Sequence, residues 1–230
     1  MDTDSGTPKE VRASLGDLRR INRWFGGSST TRLAIEKVAD STGQQEFSLL
    51  DVAAGSGDVP LNAARELSKS GIQVRVTLMD RASSHMNGYR RAVIGDALAL
   101  PFRENSFDIV SCSLFAHHLE PPQLQEFVEK SLRVARLAVI INDLRRSLLH
   151  LALIYAGLPL FRSRLTRHDA RASVKRAYTP QEFKSLVGRT QAQSCNVLHH
   201  YLFRVGVIAW KSGTLIPEKY NQLQVVGRSR

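Results

Sequence analysis

The chain of 230 residues (25.6 kDa) has the size of one α/β domain or, less readily, of two small ones. With 43% hydrophobic and 23% charged residues its composition is globular, which excludes a chain that is disordered, collagen-like or coiled-coil throughout. The net charge of +11 favours anionic partners but does not indicate which kind.

In the first half of the chain, segments with apolar residues at helical spacing alternate with short apolar runs typical of strands. Residues 1–15 are polar, and from Leu18 to Ala39 apolar residues recur at helical spacing, with a turn predicted at residues 26–29. Apolar strands and helices then alternate as far as residue 143, which is typical of a parallel sheet covered by helices on both faces. The predicted strands are Phe47–Val52, Val74–Met79, Ala92–Ile94, Phe107–Ser111 and Leu137–Ile141, with helices over Val59–Leu67 and Pro122–Val134.

The alternation breaks over residues 144–178 and resumes at a capping-box sequence that begins at Thr179. Residues 194–201 and 203–211 predict two adjacent strands, a closing antiparallel pair. We therefore predict a single domain over residues 1–230. It has an N-terminal helical cap at about 12–40, a core at about 41–143 and 179–230, and an inserted substrate cap at about 144–178.

The two cysteines and the N-terminal sequence indicate in which part of the cell the protein is expected. Cys112 and Cys195 are far apart and have no metal-ligand spacing, so we expect neither a disulfide framework nor a metal site. The N-terminus is too polar for a secretory signal peptide, and no apolar run approaches ~18 residues. These observations predict a soluble, cytoplasmic protein.

A turn of small residues follows the first predicted strand. Ala53-Ala54-Gly55-Ser56-Gly57 connects that strand to a helix, so that the backbone can approach a ligand and helix N-terminal amides can face it. In open α/β sheets ligands bind outside the carboxyl ends of the strands, where this turn lies. The alternative is an ordinary strand-to-helix turn that merely favours glycine.

Acidic residues near this turn indicate the kind of ligand. Asp80 ends the second strand 23 residues after Gly57, close to the ~20-residue offset at which a carboxylate receives ribose hydroxyls. Pro60 stands where a dinucleotide fingerprint has its third glycine, which counts against NAD. Asp51 would repel a pyrophosphate but would favour a cationic, amino-bearing ligand. The loop therefore fits S-adenosylmethionine better than NAD.

Four motifs in order resemble those of class I S-adenosylmethionine-dependent methyltransferases. They are Leu50-Asp51-Val52-Ala53-Ala54-Gly55-Ser56-Gly57, then Asp80, then residues 95–102 (GDALALPF) and residues 106–110 (SFDIV). The resemblance covers roughly residues 45–143 and is greatest to the branch that includes ubiquinone and menaquinone-biosynthesis methyltransferases. It departs at Ala53, where many members have glycine, and in the short connection from Asp80 to Ala92.

The resemblance implies a Rossmann-like fold, mostly parallel with a final antiparallel strand, with helices on both faces and helical cap elements. It also implies the residues that hold the cofactor. The methionine and ribose part would lie against Asp51, Ala53, Gly55 and Gly57. The adenosine would lie against Asp80, Arg81, Asp96 and Ala97, with Ser113 under the sulfonium. For Asp96 the alternative is a carboxylate that caps a turn.

Two adjacent histidines follow the fourth predicted strand, at the rim where cofactor and acceptor should meet. Methyl transfer is an in-line displacement, and a weak nucleophile such as a phenol also needs its proton removed. A neutral imidazole of His117 or His118 suits that step. The alternative is a histidine at a helix start that hydrogen-bonds to backbone.

Further candidates lie after the fifth predicted strand. Asp143 and Arg145 leave it on the same side of the sheet, in position to face an acceptor. His168 and Tyr178 belong to a second polar cluster and are predicted to bind substrate. The alternative is that His168 and its neighbour Asp169 cap a turn.

The predicted cap combines apolar and basic residues. Residues 148–161 are densely apolar, and residues 145–189 contain ten Lys or Arg against two acids. This pattern fits a lid over a hydrophobic acceptor, a peripheral membrane contact through residues 148–176, or a packed helix with a solvated basic face. Residues 142–147, 167–169 and 176–179 also resemble a bacterial subgroup associated with type III polyketide synthases, which implies a polyketide acceptor.

These observations favour a methyltransferase that acts on the oxygen, or alternatively a carbon, of a small phenolic, quinol or polyketide acceptor. A basic pI of about 10.2 raises the alternative of an RNA methyltransferase. Against it, residues 111–114 (SCSL) lack the Asn/Asp-Pro-Pro-aromatic sequence of amino-directed nucleic-acid enzymes, so nucleic acid is not the expected partner. A cofactor-binding subunit without catalysis is a further alternative.

Overall fold

The structure is a computed structural model that describes residue 16 and residues 26–82, 89–157, 171–199 and 203–214. The strands are β1 (Glu46–Val52), β2 (Gln73–Asp80), β3 (Ala92–Ile94), β4 (Phe107–Ser113), β5 (Ala135–Leu144), β6 (Ser194–His199) and β7 (Arg204–Trp210). The helices are α1 (Gly27–Thr42), α2 (Asp58–Ser68), α3 (Pro121–Val134), α4 (Leu148–Gly157) and α5 (Pro180–Val187). A 3₁₀ turn covers Ala116–His118, and residues 171–176 are helical.

The strands form one sheet in the order β3-β2-β1-β4-β5-β7-β6. β1 to β5 pair in parallel, whereas β7 runs antiparallel to both β5 and β6. The expected Rossmann-like sheet with an antiparallel strand near its end is therefore confirmed. The chain moves outward from β1 to β3 and returns to β4 on the other side of β1. This reversal places a binding crevice at the carboxyl ends of β1 and β4.

Helices cover both faces of the sheet because its strands carry apolar side chains on both sides. In β1, Leu49 belongs to a core with Ile35 of α1 and Leu67 of α2. The next residue, Leu50, belongs to the opposite core, with Phe127 of α3 and Phe183 of α5. Burial on both sides explains continuous apolar runs such as residues 138–141 of β5.

β5 is longer than the predicted Leu137–Ile141. The structure extends it to Ala135–Leu144, because β7 continues the ladder and pairs Asn142 with Gly206 and Asp143 with Val205. The polar residues at this end are buried, so each needs partners inside the protein. The strand therefore carries its polar side chains into the carboxyl edge of the sheet.

Asn142 connects α1 to this edge. Its Nδ2 donates to the carbonyl of Gly27 (2.7 Å) and to Oγ1 of Thr31 (2.9 Å), while its Oδ1 accepts from Nη1 of Arg204 (3.3 Å). Asn142, Thr31 and Arg204 are all nearly inaccessible to solvent. The start of α1, which lies directly after the left-handed Gly26 (φ 73°), is thereby fixed against β5 and β7.

Several predictions fall outside the described residues. These are the short connection at residues 83–88, the apolar residues 158–161 and the basic stretch that includes His168. Within the described ranges, no helix combines the length and apolar character needed to span a bilayer. The division into core and caps stays a prediction.

Ala53 has a left-handed backbone (φ 54°) directly after β1. A residue with a Cβ costs roughly 1–2 kcal/mol in this conformation, whereas glycine does not. Glycine also costs about 0.5–1 kcal/mol through the flexibility of the unfolded chain. We therefore expect Ala53→Gly to leave the free energy of unfolding unchanged, or to raise it by up to about 1 kcal/mol.

The matched control is Ala64→Gly in the interior of α2, which should lower the free energy of unfolding by about 1 kcal/mol. Urea denaturation of both variants measures the difference. An equal loss in the two variants would show that the backbone of Ala53 is not strained.

Candidate active site

The loop after β1 contains two glycines that serve different purposes. Gly57 has φ 70°, and a Cβ there would lie 2.5 Å from Cδ1 of Leu78, so β2 and the start of α2 can approach only at glycine. Gly55 has φ 53°, but a Cβ there would meet no atom within 4 Å. Gly57 thus serves packing within the protein, while Gly55 faces open space in which a ligand can approach the backbone.

Asp80 holds this loop against the end of β2. Its Oδ2 accepts from the backbone N–H of Gly55 (2.8 Å), and its Oδ1 accepts from the N–H of Ala82 (2.9 Å). A carboxylate has about four lone-pair sites, so these bonds leave capacity for further donors such as hydroxyl groups. The predicted ribose contact therefore fits the geometry and stays a prediction.

Asp51 is a buried carboxyl group beside the loop, only 1% exposed. Its Oδ1 accepts from the Ser111 hydroxyl (2.5 Å), whereas its Oδ2 has no hydrogen-bond partner among the described residues. Burial raises the pKa of Asp51 to about 7, opposed by the Ser111 hydrogen bond and assisted by the negative charge of Asp80. The site therefore contains a carboxyl group that changes its charge near neutral pH.

The residues predicted to contact adenine lie after β3. Oδ1 of Asp96 accepts from the N–H of Leu98 (2.8 Å), so Asp96 does cap a turn, as the alternative supposed. Its Oδ2 lies 3.9 Å from Nε of Arg81, and both side chains are largely exposed. Ala97 is buried at 7% exposure. Asp96 and Arg81 thus face one another across the ends of β2 and β3.

Ser113 ends β4 next to the crevice. Its Oγ is buried and has no hydrogen-bond partner within the described part of the chain. A buried hydroxyl without a partner is costly, which indicates a position that a ligand group would satisfy.

His117 and Asp143 form a buried pair beside this crevice. The backbone N–H of His117 donates to Oδ2 of Asp143 (2.9 Å), and its ring Nδ1 lies 2.7 Å from Oδ1. The two side chains are 4% and 1% exposed. Because a carboxylate accepts, Nδ1 donates in this contact, and Nε2 is the ring nitrogen that remains to exchange a proton. His117 thus has the tautomer that a base acting through Nε2 requires.

Asp143 is ionised in this environment. Burial alone would raise its pKa, but the charge of His117 and the hydrogen bonds from His117 and Leu144 outweigh burial and hold the pKa below its ordinary value. The His118 ring lies against that of His117, with a centroid distance of 4.1 Å. The structure therefore gives the two histidines different surroundings, with only His117 bonded to Asp143 in the contacts described.

Two residues predicted on the acceptor side have partners inside the protein. The extension of β5 buries Asp143 beneath His117. Tyr178 is also buried, and its hydroxyl donates to the carbonyl of Leu119 (2.6 Å), so it joins residues 171–178 to the turn after β4 rather than presenting a free hydroxyl. Arg145 is exposed directly after β5, and its contact with an acceptor stays a prediction. His168 lies outside the described residues.

The sequence predictions missed Arg204 and Asn142. Arg204 is 1% exposed at the start of β7, and burial lowers its pKa to about 10, with the charge of Asp143 acting in the opposite direction. An arginine at the start of an otherwise apolar strand was the available signal. No group of three His, Cys, Asp or Glu side chains is arranged to hold a metal in the described ranges.

Comparison with known proteins agrees with this geometry. Residues 49–137 match the family model described as a methyltransferase domain. The chain is 35% identical over 100 residues to the ubiquinone/menaquinone biosynthesis C-methyltransferase UbiE of Roseobacter denitrificans. That alignment covers 38% of this chain and 38% of the relative, so the chain matches well under half of the relative's length.

Solved structures share the fold at low sequence identity. The plantazolicin methyltransferase BpumL in complex with SAH superposes with a TM-score of 0.64 at 13% identity, covering 91% of both chains. A SAM-dependent methyltransferase from Aquifex aeolicus superposes with a TM-score of 0.53 at 18% identity, covering 76% of this chain and 88% of that one.

Residues 49–137 match a methyltransferase domain, and the glycine loop, the carboxylates at the ends of β1 and β2 and the strand order fit an S-adenosylmethionine-dependent enzyme of class I. Within that class, its sequence similarity is to the UbiE C-methyltransferases. S-adenosylmethionine is therefore its cofactor, as the loop predicted. The open space at Gly55 and the buried, unpartnered oxygens of Asp51 and Ser113 are consistent with a cationic, hydrogen-bonding ligand.

Ionisation of Asp51 should make cofactor binding depend on pH. The positive charges of S-adenosylmethionine favour the ionised carboxylate, so binding near pH 7 should release a proton. We expect the affinity to rise from pH 6 to pH 8, by less than about tenfold per pH unit. Calorimetric titration in buffers of different ionisation enthalpy measures the released proton directly.

The matched variant Asp51→Asn should bind more weakly at pH 8 and should release no proton. Proton release that persists in this variant would assign the linkage to another group.

The two glycines should respond differently to a methyl group. Both Gly55→Ala and Gly57→Ala place a Cβ on a left-handed backbone at a cost of roughly 1–2 kcal/mol. Gly57→Ala should lower the free energy of unfolding further, because of the clash with Leu78. Gly55→Ala should instead weaken S-adenosylmethionine binding at least tenfold. Denaturation and titration of both variants separate these effects, and unchanged binding by Gly55→Ala would show that no ligand passes this point.

Proposed function

We propose that the protein methylates the hydroxyl oxygen of a small hydrophobic phenolic, quinol or polyketide-type acceptor. The observation that carries this proposal is the buried His117–Asp143 pair, which lies at the carboxyl edge of the sheet where β4 and β5 end side by side. A protein that only bound the cofactor would not need an imidazole fixed in one tautomer at this place. The pair is the arrangement that removes a proton from a weak nucleophile.

In this proposal His117 is the general base. Its Nε2 takes the proton of the acceptor hydroxyl while the oxygen attacks the methyl carbon in line with the breaking carbon–sulfur bond. When bound, S-adenosylmethionine would supply an electrophilic methyl group on a sulfonium, and a neutral thioether would be the leaving group. The oxygen gains the methyl group, His117 gains the proton, and no oxidant or metal is required.

Asp143 is a positioning residue in this reaction. Its two hydrogen bonds fix both the backbone and the ring of His117, so the base cannot rotate or exchange its tautomer without breaking them. Its negative charge also stabilises the imidazolium that forms when His117 takes the proton.

A carbon acceptor is the second candidate, because the curated relatives are C-methyltransferases. Deprotonation of a phenol or quinol also makes the ring carbons next to the oxygen nucleophilic. The same base would therefore serve both outcomes, and mass spectrometry of the product distinguishes an ether from a ring methyl group.

Arg145, exposed at the end of β5, is proposed to face the acceptor. A polyketide acceptor stays a prediction.

Replacement of the base should separate chemistry from cofactor binding. We expect His117→Ala to lower kcat by about 10²–10⁴ while the Kd for S-adenosylmethionine changes less than about threefold. Asp143→Asn should also lower kcat and should alter the rising limb of the pH–rate profile, which a merely structural role would not do. Turnover of alkylphenols and hydroquinones with a labelled methyl donor provides the assay.

His118→Ala is the matched control and should retain most of the turnover. Unchanged kcat in the double variant His117→Ala/His118→Ala would refute the base. Tight cofactor binding without turnover of any phenol, quinol or RNA would instead favour a non-catalytic cofactor-binding subunit.

A further inference from the structure

Helix α4 is apolar on all sides. Its ten residues, LLHLALIYAG, contain no charged side chain. A soluble surface helix normally carries polar residues on its outer side, and a helix without them is buried or contacts lipid. At about 1.5 Å per residue α4 is roughly 15 Å long, half of the ~30 Å bilayer core, so it does not span a membrane.

The inner side of α4 is held by the protein. The His150 ring stacks on Phe203 with a centroid distance of 4.5 Å and an interplanar angle of 17°. The backbone N–H of His150 donates to Oγ of Ser147 (3.1 Å), and its Nδ1 lies 3.2 Å from the carbonyl of Arg145. The start of the helix therefore has a fixed orientation, and the opposite side faces outward.

The outward side is continuous and hydrophobic. Leu148 is 87% exposed, Leu149 63%, Leu153 50% and Tyr155 47%, and Ala152 between them is also exposed. Because successive helical residues turn by about 100°, these five residues lie on one side of the helix. We call them the outer face of α4. Several large apolar side chains exposed together mark an interaction surface rather than ordinary surface.

Positive charge surrounds this face. Described residues 145–157 and 171–178 contain five Lys or Arg and no Asp or Glu. Arg145 and Arg146 come directly before α4, Arg146 being ion-paired with Glu182, and the Arg171 guanidinium lies 5.9 Å from the centroid of the Tyr155 ring. Lys175 and Arg176 are exposed on the following helical segment.

We propose that the outer face of α4 docks on the surface of an anionic lipid bilayer. Short apolar side chains would enter the boundary between headgroups and acyl chains, while the surrounding cations would contact anionic headgroups. Charge argues against a second copy as the occupant, because docking two such faces would bring together two sets of cations on chains of net charge +11. This inference does not depend on the identity of the methyl acceptor.

The direct test is co-sedimentation of the full chain with vesicles of phosphatidylcholine, with and without phosphatidylglycerol. We expect binding to the anionic vesicles that weakens with salt, and at least tenfold weaker binding to the neutral ones. Leu149→Glu/Leu153→Glu should lose binding to the anionic vesicles at least tenfold. The matched control Ile94→Glu places the same charge at another exposed apolar residue, on β3 (65% exposed), and should bind like the unaltered protein.

A second measurement reports whether the outer face of α4 enters the bilayer. Cys112 and Cys195 are free but buried, so Leu153→Cys provides an exposed thiol for an environment-sensitive fluorophore. A blue shift with anionic vesicles supports insertion. Three results would overturn the proposal: no binding to anionic vesicles, equal binding by the Leu149→Glu/Leu153→Glu variant, or a concentration-dependent dimer in sedimentation velocity that this variant abolishes. The assays use no methyl acceptor, so they succeed or fail independently of methyl transfer.

Discussion

The Asp143 carboxylate is the interaction around which the carboxyl edge of the sheet is organised. A buried carboxylate is tolerated only if hydrogen bonds and opposite charge replace its water, and here His117 and the N–H of Leu144 provide those bonds. The extension of β5 to Leu144 places Asp143 there, and the tight turn after β4 brings His117 onto it. One buried charge thus joins two neighbouring strands at the place where a ligand would bind.

Asp51 and Asp143 show how strongly the surroundings determine the charge of the same group. Both are 1% exposed, yet the pKa of Asp51 is raised to about 7 whereas that of Asp143 is lowered. Asp51 has a neutral serine as its hydrogen-bond donor, while Asp143 has an imidazole and backbone N–H groups. Active sites often hold two carboxyl groups whose pKa values are shifted in opposite directions, so that one stays charged while the other exchanges protons.

The sequence predicted features that depend on neighbouring residues in the chain. Period-two and helical patterns, the glycine loop and the acid after β2 are local signals, and the strands and the loop are found where they were expected. The partners of Asp143 and Tyr178 were not predicted, because His117 and Leu119 lie 26 and 59 residues away. A polar side chain near a strand end gives no sign of whether it turns outward or is buried.

The position of β7 has a consequence for synthesis of the chain. β7 is the last described strand, yet it lies inside the sheet between β5 and β6, and its residues from Arg204 to Trp210 are all buried. Until it emerges from the ribosome, β5 presents an apolar edge with unpaired backbone groups, which is a template for aggregation. The sheet therefore stays incomplete until residues 204–210 have been translated, and a premature stop upstream of residue 204 leaves a chain without its internal strand.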